Sequence, residues 1–125
     1  MFAFDIKQYQ YECASSMRSL TFMMEENIQL KNRLSELLKG MVSTDLLNLA
    51  EGFQNKILAQ ENIISGLRED IRVFDRVIAR EGNVDGVRKE RIVAGFENLR
   101  QKIADSEQKF NSIKSEFNKY CQENF

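Results

Sequence analysis

The side chains of this chain that could do chemistry are few, and their types narrow the choice quickly. None of the 125 residues is histidine. The usual proton carrier near pH 7 and the commonest transition-metal ligand are therefore both missing. The thiols are Cys13 and Cys121. A catalytic thiol wants an adjacent base, and no imidazole can supply one. Two cysteines also make no disulfide framework. Adjacent carboxylates such as Glu25-Glu26 point to different parts of a helix surface and form no acid/base dyad. These residues give no reason to assign a catalytic residue, a cofactor or a metal, and the expectation is a protein that is not an enzyme.

Two polar patterns remain. Arg68, Arg72, Arg76 and Arg80 recur every four residues, interleaved with Glu69, Asp70, Asp75 and Glu81. One reading is a solvated face of weak ion pairs. The sharper one is an anion contact, in which guanidinium forks grip phosphate or an acidic segment. No glycine-rich phosphate loop accompanies the ladder, so nucleotide binding gains no support. The second pattern is Asn27, Gln60, Ser106 and Ser16, which fall inside an otherwise apolar seam. Such residues either fix the register of packed helices or line a small-ligand pocket.

The elements that must position these residues follow from punctuation and period. No proline interrupts the chain, so glycines and caps set the boundaries. Breaks at Gly40 and at Gly82–Gly86 leave segments of about 5–39, 44–81 and 86–122. Asp5 with Gln8 resembles a capping box, stapled by Phe4 and Tyr9. Ser43 can cap the second segment, with Val42 and Leu47 as its staple. Asp85 is a weaker cap for the third.

Heptads run through all three segments. Ile6, Cys13, Leu20, Asn27 and Leu34 occupy a in the first, with Tyr9, Ser16, Met23, Leu30 and Leu37 at d. Ala50, Ile57, Ile64, Ile71 and Ile78 occupy a in the second, with Leu46, Phe53, Gln60, Leu67 and Phe74 at d. In the third, Phe96, Ile103, Phe110 and Phe117 are at a, and Ile92, Leu99, Ser106, Ile113 and Tyr120 at d. A 3.5-residue repeat of this length predicts supercoiled helices. Short breaks predict antiparallel neighbours.

The expected fold is all-α: a single domain over 1–125, built as an elongated antiparallel up-down-up three-helix bundle with coiled-coil packing. A dimer sharing one larger core is the alternative. Cys13 and Cys121 then lie at opposite ends, about 35 Å apart at 1.5 Å per residue, too far for a disulfide. Cys13 is expected buried, and Cys121 accessible beside a fraying end.

Composition limits partners and place. Lys+Arg number 18 against 19 Asp+Glu, for a net charge of −1 and a pI near 5.6. That balance argues against nucleic acid, whose binding rests on neutralising phosphates. No apolar stretch approaches the roughly 18 residues a membrane span needs. Met1–Lys7 lacks the basic and apolar regions of a signal peptide, so a cytoplasmic protein with reduced thiols is expected.

What remains is surface. Gly52, Ala59, Gly66 and Val73 share one outer stripe of the second segment, with Leu58 beside it. Glycine inside an exposed helix costs about 1 kcal/mol relative to alanine, so the stripe suggests close approach of another helix. Tyr11 and Phe22 lie off the seam of the first segment, with Met24 on its edge. These eight residues are the candidate interaction face. The expected function is a non-enzymatic protein–protein interaction or assembly protein, with a homodimer the expected assembly. Two alternatives stand beside it: a chaperone for an exported or assembling helical client, and a sensor of a small ligand or phosphate using the polar layer and arginine ladder.

Overall fold

A computed structural model describes residues 6–81 and 86–125, with the side chain of Glu81 excepted. The fold is all-α. Helix α1 spans Ile6–Lys39, α2 Thr44–Glu81 and α3 Gly86–Asn124. The predicted capping box at Asp5, its Phe4 staple and the Asp85 cap fall outside the described residues.

The α1–α2 link can be followed atom by atom. Ser43 caps α2, its Oγ accepting the Leu46 backbone N–H at 3.4 Å. The expected Val42 staple does not form, because Val42 is 94% exposed. Met41 turns inward instead, held by a backbone bond from its N–H to the Leu38 carbonyl and touched by the Tyr120 hydroxyl. One inward apolar residue is enough to close this short link, and its neighbour is left in water.

Helix α3 runs past the expected end near 122. Asn124 donates from its side chain to the Tyr120 carbonyl at 2.9 Å, and the Phe125 ring packs edge-on against Tyr120 at 5.6 Å. These contacts hold the last turn in place and correct the expectation for Cys121, which is buried at 3% exposure rather than accessible. Both cysteines are free thiols. Burial, with the Asp75 and Glu12 carboxylates nearby, pushes the Cys13 thiol up to about 11. Burial also raises Cys121, with Arg33 offsetting part of the effect. Neither thiol is poised as a nucleophile at neutral pH.

Every fully buried residue described lies at one of the predicted seam positions, except Cys121. Phe74 meets Phe96 at 5.1 Å and Phe53 meets Phe117 at 5.4 Å, so contacts descend α2 as they climb α3. Contacts climb α1 and α3 together, from Tyr9 on Phe96 to Arg33 on Asn118. Helices α1 and α2 are joined by the Asn27 side chain, which donates to the Ile57 carbonyl at 3.0 Å, and by Lys31 with Glu61 at 3.2 Å. Lys114 pairs with Glu26, and Arg100 with Glu12, across the α1–α3 flank. Burial pushes the Glu12 carboxyl up, but hydrogen bonds from Arg100 and Gln8 outweigh it and hold it below the usual range. Such half-exposed pairs stabilise little individually; the seam supplies most of the cohesion.

Candidate interaction surface

The four stripe residues of α2 are exposed, but they do not share one groove with Leu58. Consecutive helical residues are turned about 100° apart. Leu58 therefore lies on the α1 side, in a small cleft of about 80 Å³ with Lys31, Leu34 and Leu38. Gly66 faces α3. It lines an open depression of about 340 Å³ with Ile63, Leu67, Lys102, Ser106 and Lys109. Val73 lines the next depression, about 300 Å³, with Phe74, Val77, Gly95 and Leu99. Asp70 and Lys102 belong to both, so the two form one trough between α2 and α3. Gly52 and Ala59 are exposed and line none of these.

A Cβ placed on Gly52 or Gly66 would meet nothing within 4 Å. Within one chain these glycines therefore carry only their cost to the helix. In dilute protein, below any self-association, Gly52→Ala and Gly66→Ala should each stabilise the chain by about 0.5–1 kcal/mol in urea unfolding, through helix propensity. A loss of stability would show that something packs against the missing Cβ.

On α1, Tyr11 and Phe22 are 65% and 61% exposed. Eleven residues make close to three turns, so the two share a stripe. Phe22 also rims a depression of about 180 Å³ between α1 and α3, with Met23, Glu107 and Phe110. Met24 is turned away and packs on the core.

The arginines do not converge. Residues four apart advance about 40° around a helix, so the ladder winds across the surface. Glu69 holds Arg72 at 3.3 Å and Arg76 at 3.7 Å. Arg68 is half-buried with its Nε unpartnered, and Arg80 is exposed.

Three of the four polar seam residues, Asn27, Gln60 and Ser106, are buried, but they do not hydrogen-bond to one another. Asn27 reaches the Ile57 carbonyl, while its Oδ1, both ends of the Gln60 amide and the Ser106 hydroxyl have no partner. Asn27 and Gln60 line none of the cavities described above. Ser106 lies at the floor of the trough. Ser16 is half-buried and lines a narrow cleft beside Cys13.

The sequence reading missed Ile63, Val77 and Gly95. Ile63 and Val77 lie beside seam positions, where an apolar residue can belong to a wider core or to a groove wall. Gly95 is the α3 counterpart of the α2 glycines; a Cβ there would touch only the Phe74 ring, at 4.0 Å. Among the described residues, no group of three or more His, Cys, Asp or Glu could hold a metal ion, and no helix is long and apolar enough to cross a membrane. Comparison with protein-family profiles, with curated proteins and with solved structures returns no match.

Proposed function

We propose that this chain is a non-enzymatic interaction or assembly protein. It works as a heptad-packed up-down-up bundle and presents helix faces to another copy or to a helical partner in the cytoplasm. The observation that carries the reading is apolar surface held in water: Tyr11 and Phe22 on α1, Ile63 and Val73 along the α2–α3 trough. Clustered exposed apolar side chains beside open grooves are what helix-in-groove association covers. A ligand sensor built on the polar layer draws less support, because Asn27 and Gln60 line no cavity described here.

Sedimentation velocity over a wide concentration range tests the proposal. The expected result is a dimer that dissociates on dilution and weakens in Phe22→Lys or Ile63→Lys, with helix content unchanged. A monomer at every concentration overturns the self-association part.

A further inference from the structure

We propose that the α2–α3 trough is occupied by the trough of a second copy of this chain, related by a two-fold axis running along it. The inference rests on the interaction reading above and specifies which face associates and with what.

The walls favour a helix as occupant. Ile63, Val73 and Val77 make the α2 side apolar, and both walls carry a glycine, Gly66 on α2 and Gly95 on α3.

Charge selects the occupant. The trough carries Asp70 on α2 and Lys102, Asp105 and Lys109 on α3. Asp105 accepts a hydrogen bond from Gln101. Asp70, Lys102 and Lys109 form no ion pair among the described residues. Two acids and two lysines cancel, so a uniformly acidic or basic ligand meets as much repulsion as attraction. A second trough can set opposite charges nearest each other. Rotation about an axis along the trough exchanges its two walls without changing height, laying α2 of each copy over α3 of the other. Asp70 and Lys102 flank the trough at one level, since both line both depressions. Each Asp70 therefore faces the partner's Lys102, twice over, as an isologous contact requires. Opposed α2 and α3 run in opposite directions, as in antiparallel bundles.

The test is a charge swap. Asp70→Lys alone sets lysine against the partner's Lys102, and Lys102→Asp alone sets two acids together. Each variant should raise the dimer dissociation constant roughly tenfold or more. An equimolar mixture of the two restores opposite charges at both contacts. It should form a heterodimer about as tight as the wild-type dimer at low salt. Circular dichroism confirms that both variants stay helical. Ile63→Lys on the exposed wall is the second variant, expected to weaken the dimer without rescue on mixing.

Restoration in the mixture supports the docked pair. Should the wild type dimerise while the swaps and Ile63→Lys leave it unchanged and Phe22→Lys abolishes it, the trough proposal falls and the interaction reading stands. A wild type that never dimerises overturns both the trough and self-association.

Discussion

Phe117→Ala should remove about 3–5 kcal/mol of folding stability, the range for deleting a large core aromatic. The ring is fully buried where all three helices meet. Phe53 of α2 packs edge-on against it at 5.4 Å, Tyr120 of α3 lies 6.3 Å away, and the Arg33 guanidinium of α1 sits 5.8 Å from its centroid. Truncation loses the transfer free energy of the ring and leaves a void lined by three rigid helices, which limits how far the site can collapse. A domain of this size is stable by only about 5–15 kcal/mol in total, so the variant should unfold at much lower urea. Phe22→Ala is the matched control. It deletes the same atoms from an exposed position and should shift stability by no more than about 0.5 kcal/mol. Equilibrium urea unfolding of both, compared at equal m-value, decides the matter. A loss below about 1 kcal/mol at Phe117 would mean that the seam is not packed as described.

That contrast between two phenylalanines was legible in the sequence, and the reason is physical. Burial along a helix is periodic, so the repeat alone separates seam from surface. Phe117 at an a position goes inside, and Phe22 goes outside. Chain ends and links obey no period. Val42 and Met41 are adjacent apolar residues in a four-residue link, and which one turns inward depends on where Tyr120 of α3 arrives. Cys121 looked accessible because it lies near the terminus. It is buried because Phe125 folds back on Tyr120 and the last turn holds. The interaction face was half legible. Exposure of Gly66 and Val73 follows from their c positions, but the neighbour each residue faces does not follow from a heptad letter. Leu58 and Gly66 read as one patch along the chain, yet they look toward different helices. Gly95 and Lys102 became part of the surface only when α3 was laid beside α2.

Gln60→Leu should stabilise the protein by about 1–3 kcal/mol, an unusual direction for a core substitution. Gln60 is 0% exposed, and neither its oxygen nor its nitrogen has a protein partner. Burying an amide without hydrogen bonds is unfavourable by roughly that amount in protein mutational data. Leucine at this d position fills similar volume with apolar atoms and forms no orphan. Asn27 differs, because its amide already donates to the Ile57 carbonyl; Asn27→Leu forfeits that bond and should gain less. The polar pair therefore separates two effects that a seam can combine. If Gln60 exists to disfavour slipped packings, Gln60→Leu will be more stable but less singular, with extra amide resonances or a second oligomer at high concentration. If it does nothing of the kind, the variant will be more stable and equally well defined. Urea unfolding measures the first quantity, and amide NMR with sedimentation the second. Destabilisation by leucine would overturn the premise, since it would require the amide to be satisfied in the folded protein.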